Sequence, residues 1–265
     1  MKMLEVVKLE MKRGLVYRVD TLINLIYPVI RFLVHYSLWI YIYENLTDAE
    51  SLFGYNKNQM VTYFLCAYVI SVIIKSDATD LGKQIRDGSI EKYMIRPFTF
   101  LTYKLSQNLG SRIIPIICLL PFLLIGGLLL QKNIELHLTA MNILYLLIAV
   151  TIGFIINFYI DFIIGMSALI FDEVWAINAS VNHIKRFVSG EFIPLSVLPA
   201  VVFNFVSFSP FYFIIYLPAK ISVSSNADHE ILLKLLVGVG WIIVLATMVS
   251  LIWKVLLRRY MTFGG

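Results

Sequence analysis

The stretch KSDATDLGKQIRDGSIEKYMIRPFTFLTYK, Lys75–Lys104, decides how the chain reads, because it is strongly charged and sits between two long apolar runs. Met60–Ile74 precedes it and Leu105–Leu130 follows it. Lipid cannot absorb the stretch, and a soluble core cannot absorb the runs. The chain is expected to cross a membrane several times while holding this segment out in water.

Composition agrees. Of 265 residues, 59% are hydrophobic and 15% charged, and the mean hydropathy is +0.81. Soluble domains lie nearer 45–50% apolar and about 25% charged. The net charge of +5 is spread in clusters beside the apolar runs, which argues against a nucleic-acid footprint. Cys66 and Cys118 both fall inside apolar runs and read as small packed residues, with no partners for a disulfide or a metal.

A spanning helix needs about 20 apolar residues. Besides Met60–Ile74 and Leu105–Leu130, the candidates are Leu22–Tyr43, Met141–Ile170 and Val237–Leu257. The first carries Arg31 and runs into Tyr41, Tyr43 and Glu44 instead of a small-residue cleavage site, so it reads as a retained span. Asp172–Arg186 is polar for lipid, and Phe187–Leu217 is broken by prolines; together they are expected to give a fifth span followed by a re-entrant element. The resulting expectation is an all-α integral membrane protein with six transmembrane helices in one domain over residues 1–265.

Basic residues set the sidedness. Lys2, Lys8, Lys12, Arg13 and Arg18 precede the first span, and Lys254, Arg258 and Arg259 close the last. The charged stretch adds Lys75, Lys83, Arg86, Lys92, Arg96 and Lys104, whereas the Glu44–Asn58 and Gln131–Thr139 loops hold only Lys57 and Lys132. Both termini and the charged stretch are expected in the cytoplasm. Leu4, Val7, Met11 and Leu15 recur at helical spacing between lysines, which suggests an interfacial helix over 1–20; a plain basic flank is the other reading.

Within 75–104, Leu81 and Ile85 share a helical face among Asp80, Lys83, Arg86 and Asp87. Gly88 suits a helix C-terminus, Ser89 can cap a second short piece, and Pro97 ends it. Two short segments hinged at a glycine, showing Ile85, Ile90, Tyr93 and Met94, could fit a groove on a partner. They could equally be an ordinary solvated loop.

Several motifs carry a resemblance. IRDGSIEKYMIRP, Ile85–Pro97, resembles the coupling segment of permease subunits in the second class of ATP-binding-cassette exporters, and is especially similar to daunorubicin-type efflux permeases. GYNKNQMVTYFL, Gly54–Leu65, resembles that branch's approach to its second span. VSGEFIPLSVLP, Val188–Pro199, with SPFYFIIYLPAKI after it, resembles the family's fifth span and re-entrant outer hairpin, and RRYMTFGG its short basic tail. The resemblance implies a dimeric permease, of identical or related chains, and a cytoplasmic ATP-binding-cassette ATPase dimer gripping the coupling helix between spans 2 and 3. On that reading the grip falls to Leu81, Ile85, Arg86, Gly88, Ile90, Tyr93, Arg96 and Pro97, in a bacterial plasma membrane. ATP and magnesium would sit on the partner, with no cofactor on this chain. The chain's only Gly-Lys pair, Gly82-Lys83, is followed by Gln84, so it has no phosphate-binding loop of its own.

Pro194, Pro199, Pro210 and Pro218 punctuate 187–219, a segment rich in Phe and Tyr. Broken helices survive at membrane depth where protein or a wet cavity satisfies their backbone. This hairpin is expected to act as an outer gate, with Gly190, Pro194, Pro199, Phe208, Pro210 and Phe211 as its key residues, although each aromatic taken alone also suits a lipid-facing anchor. Arg31, Arg112 and Asp161 lie within apolar runs, where a central charge costs about 2.5–3.5 kcal/mol and is normally paired. Asp161 is expected to pair with Arg31 or Arg112, and Glu173 with Lys185; His35 reads as a packed histidine. An ion-gradient-driven secondary transporter or channel using Asp161, in the sharper form as a proton relay, is the competing function. The leading one is outward movement of a hydrophobic or amphipathic substrate by alternating access.

Overall fold

The computed structural model describes residues 3–45, 51–90, 100–136, 139–171, 174–224 and 229–263. The described residues are all-α apart from a hairpin of two two-residue strands, β1 (Ser51–Leu52) and β2 (Tyr55–Asn56). Helix α1 (Met3–Val16) is followed by α2 (Arg18–Asn45), α3 (Lys57–Ile74), α4 (Ala78–Arg86), α5 (Phe100–Leu130) and α6 (Ala140–Met166). Then come α7 (Val174–Val188), α8 (Ala200–Ser207), α9 (Tyr216–Val223) and α10 (His229–Phe263).

Local chemistry sets several helix starts. Asn56 caps α3 in a reciprocal capping box with Gln59, each side chain bonding the other's backbone N–H. Asp77 caps α4 by accepting from Thr79 N at 2.8 Å, and Thr139 caps α6 through Asn142 N. The long helices overrun the apolar stretches into their charged flanks, since a helix does not stop where hydrocarbon does. Pro28 in α2 and Pro115 and Pro121 in α5 are carried inside helices.

Among the described residues, five helical segments are long and apolar enough to cross a membrane: Val19–Asn45, Lys57–Arg86, Phe100–Leu128, Ala140–Met166 and His229–Lys254. The second of these is α3 running into α4. Burial differs sharply among them, with 56% of the apolar window buried in Lys57–Arg86 but 17% in the windows of α2 and α5. So α3 is the core helix, and the others turn apolar side chains such as Leu33, Leu124, Ile243 and Leu251 outward. That inversion of the soluble pattern suits lipid.

Helix α7 has 15 residues, about 22 Å at 1.5 Å per residue, short of a full crossing of about 30 Å. It explains the polar stretch before the proline-rich segment. Trp175, Ile184 and Phe187 are exposed, whereas Lys185 is buried and Asn182 and Arg186 are half-buried. The helix is amphipathic with its polar face inward.

The segment after α7 is two short helices and turns. Its first leg is exposed along Val201, Phe205 and Phe208, and its second leg, Tyr212–Ala219, is buried against α3 and α6. The principal core gathers Met60, Tyr63 and Phe64 of α3 with Tyr212, Phe213 and Tyr216. Gly190, which turns the chain out of α7 at φ +82°, lies beneath it. Its carbonyl accepts from the Tyr63 hydroxyl at 2.7 Å, and a Cβ there would fall 2.7 Å from the same oxygen. Only glycine fits that turn.

Candidate functional site

Helix α4 lies across the bundle against α6 and α7. Leu81, Ile85 and Ile90 are all buried, in a cluster with Phe100, Phe158, Phe162, Met166 and Val249. This revises the expectation that Ile85 and Ile90 show themselves to a partner. The apolar face of α4 holds the helix to its own bundle, and the exposed face carries Asp80, Lys83, Arg86 and Asp87. Gly88 has φ +66°, as expected of a helix-ending glycine. Tyr93, Arg96 and Pro97, like the rest of 91–99, lie outside the described residues.

The seat of α4 is close. A Cβ on Gly165 of α6 would stand 2.7 Å from Leu81 Cδ2 and 2.9 Å from the Ala78 carbonyl oxygen. On its other flank, a Cβ on Gly82 would stand 2.9 Å from Val174 of α7. Backbone contact at Gly165 fixes α4 as if it were a rigid extension of α6.

A polar chain leaves the base of this seat. Ser76, in the turn between α3 and α4, donates a short hydrogen bond to Asp161 of α6, which also accepts from Asn157 at 3.1 Å and from Lys185 of α7 at 2.7 Å. Both side chains of the Lys185–Asp161 pair are over nine-tenths buried. At the far end of α7, Glu191 makes a short ion pair with Arg31 of α2 and lies 3.5 Å from Arg186. The Arg31 guanidinium is framed by the rings of Tyr27, Tyr68 and Phe192 at 4.7–5.6 Å. His35 is packed, as expected, with its Nδ1 3.0 Å from the Tyr68 hydroxyl.

The sequence therefore located the charges and misassigned the partners. Asp161 pairs with Lys185, not with Arg31 or Arg112, and Arg31 pairs with Glu191. Glu173 lies outside the described residues, and Lys185 is taken by Asp161. Arg112 donates to Ser111 Oγ at 3.2 Å. Glu191, Ser76 and Asn157 were missed. For Glu191 the available signal was a lone acid in the otherwise apolar run VSGEFIPLSVLP, which in lipid demands a cation.

These groups surround a cavity of about 280 Å³ bounded by α2, α3, α5, α6 and α7. It draws together Arg31, Arg112 and Asp161, and reaches the proline-rich segment at Glu191, Ile214 and Ile215. The expected gate residues are not gathered there. Gly190 and Pro194 are buried, Pro199 and Phe208 exposed, and Pro210 and Phe211 half-buried. A second cavity of about 190 Å³ lies under α4, between Glu10, Asp80, Lys104 and Phe158. Among the described residues there is no group of three or more His, Cys, Asp or Glu side chains able to hold a metal.

The profile of a family described as ABC-2 family transporter protein matches residues 29–264. No curated protein matches the chain.

Proposed function

Because the chain belongs to the ABC-2 family of transporter proteins, as the membrane-embedded permease of an ATP-binding-cassette transporter, we propose that it moves an amphipathic or hydrophobic substrate outward, driven by a separate ATPase. The observation that carries this reading is the seating of α4. One face is packed into α6 and α7, and the other is charged and free of the bundle's core. A motor pushing on that face would move α6 and α7 together, since Gly165 leaves no slack between α4 and α6. The Ser76–Asp161–Lys185 contacts would pass the displacement into α7, and Glu191–Arg31 from the end of α7 into α2.

Five crossings come from α2, α3, α5, α6 and α10, and α7 with the segment after it makes a composite fifth in chain order. Six crossings keep both termini with α4 on the cytoplasmic side of a bacterial plasma membrane. The inward polar face and outward Trp175, Ile184 and Phe187 of α7 support this. The broad exposed apolar faces of α2, α5 and α10 leave room for lipid and for a second permease copy. The ATPase dimer carries ATP and magnesium. The motifs at Ile85–Pro97 and Gly54–Leu65 support the daunorubicin-type branch within that family. Asp161 is held by three donors, an arrangement of a structural charge rather than a proton carrier.

Two tests follow. Lys83→Glu reverses a charge on the exposed face of α4 and is expected to cut partner-stimulated ATP hydrolysis several-fold, with insertion unchanged. Hydrolysis at the wild-type rate would remove α4 as the contact. Phe208, exposed beneath the Lys234 ammonium at 4.9 Å, is the cleaner gate residue, because its main contact to Trp241 runs through the backbone carbonyl at 2.7 Å and survives truncation. Phe208→Ala is expected to change efflux while leaving ATPase co-purification intact; unchanged efflux would count against a gate there.

A further inference from the structure

The cavity between α2, α3, α5, α6 and α7 has a charge imbalance that its ion pairs do not remove. Five cations line it against two carboxylates. Lys185 is matched by Asp161, and Arg31 and Arg186 share Glu191. That leaves Lys75 and Arg112, neither of which has a carboxylate within ion-pair distance among the described residues. Arg31 also keeps a buried Nε with no hydrogen-bond partner, on a side chain more than nine-tenths buried.

Asp77 forms no ion pair with either cation. Asp77 acts electrostatically on both Lys75 and Arg112, but its Oδ1 is committed to capping α4 through Thr79 N and Oγ1. In the neighbouring cavity, Asp80 is held by Lys104 at 2.6 Å and Glu10 by Arg13 at 3.2 Å. An uncompensated Arg112, half-buried on the membrane helix α5, is costly, and an anion bound there would relieve that cost.

Resting on the permease reading, the geometry points to this cavity as a site for the phosphate group of an amphipathic molecule, held by Lys75 and Arg112. A phosphate offers acceptors enough for an ammonium, a guanidinium and nearby neutral donors at once. Asn24 and Asn182 also line the cavity, and each amide has a second N–H beyond its bond to Asp20 O or Asn178 Oδ1. The volume of about 280 Å³ admits a head group and not a long tail. Leu25 and Val72, which also line the cavity, continue into an apolar cluster with Leu119 where the first methylenes of a tail can lie. Lys75 is exposed, so the site stays open to a ligand from the α4 end of the bundle.

The test is a thermal-shift titration of the purified full-length chain in a neutral detergent. The probes are a single-chain phosphatidic acid, the single-chain phosphatidylcholine of equal tail, and inorganic phosphate. Phosphatidic acid should stabilise at concentrations about tenfold lower than phosphatidylcholine, and Lys75→Gln with Arg112→Gln should abolish that preference. The charge-preserving Lys75→Arg with Arg112→Lys should retain much of it. Inorganic phosphate matching phosphatidic acid would assign the site to the free anion; much weaker phosphate would assign it to a lipid-like head group. Equal response to both lipids, or a preference that survives neutralisation, would overturn the site. Co-purification of the wild-type chain with an ATPase reads the permease assignment separately. Head-group selectivity without co-purification removes that assignment and leaves the site; the reverse removes the site alone.

Discussion

Gly165→Val should uncouple the transporter: partner-stimulated ATP hydrolysis and substrate export fall at least about tenfold, while the chain still inserts and purifies. The reason is steric and local. A Cβ at position 165 already stands 2.8–2.9 Å from Leu81 Cβ and the Ala78 carbonyl oxygen. A carbonyl cannot rotate away as a side-chain tip can, so α4 itself must lift. Overpacking of this kind typically costs about 1–3 kcal/mol, which a bundle this size survives, but the lift breaks the register between α4 and α6. Gly82→Ala provides the graded comparison. The atoms nearest its new methyl belong to the Val174 side chain, from 2.9 Å, so its effect should be smaller. The readouts are ATPase activity of the reconstituted complex and efflux from vesicles. Wild-type coupling in Gly165→Val would mean that the fit of α4 on α6 carries no motion.

Glu191→Gln should be the most destabilising single change among the buried charges. It leaves Arg31 buried without its counter-ion, with side-chain exposures of 9% and 4% across the pair. Removing one partner of a buried pair costs about 3–5 kcal/mol, whereas replacing both with apolar residues of similar volume is often neutral. Arg31→Met with Glu191→Leu should therefore recover most of the lost Tm. The aromatic frame of Tyr27, Tyr68 and Phe192 around position 31 can receive the methionine. Export should not recover with it, since the tie between α2 and the end of α7 is gone. The half-exposed Lys57–Glu44 pair sets the baseline. Breaking it with Lys57→Gln should change stability by no more than about 1 kcal/mol. A Glu191→Gln protein as stable as wild type would show that the pair holds nothing.

What the sequence could show divides along physical lines. The membrane helices were legible because bilayer thickness imposes a length that no soluble core imposes, and Leu22–Tyr43 and Leu105–Leu130 meet it, the latter directly after a segment lipid rejects. Gly88 was legible because a helix that must stop and turn needs a residue content at positive φ. The direction of α4 was not. Its apolar stripe at Leu81 and Ile85 is compatible with packing on a partner or on its own bundle, and periodicity is identical in the two cases; the buried cluster with Phe158 and Phe162 decides for the bundle. The pairing of charges was also out of reach. Asp161, Arg31 and Arg112 could be recognised as costly, but which cation meets Asp161 depends on how α7 lies against α6. The polar face of α7 read as a poor span because the usual apolar criterion assumes lipid on all sides. Here a cavity lined by charged and polar side chains lies on one side.

The central claim is that α4 is a cytosolic handle pressed by a separate ATPase, and labelling at Lys83 tests it most directly. In a background with Cys66 and Cys118 replaced by Ala, Lys83→Cys places a thiol on the exposed face of α4. A membrane-impermeant maleimide should modify it in inside-out vesicles and not in intact cells, and binding of the ATPase should protect it. Modification in intact cells, or in inside-out vesicles at a rate the ATPase does not alter, would contradict the account.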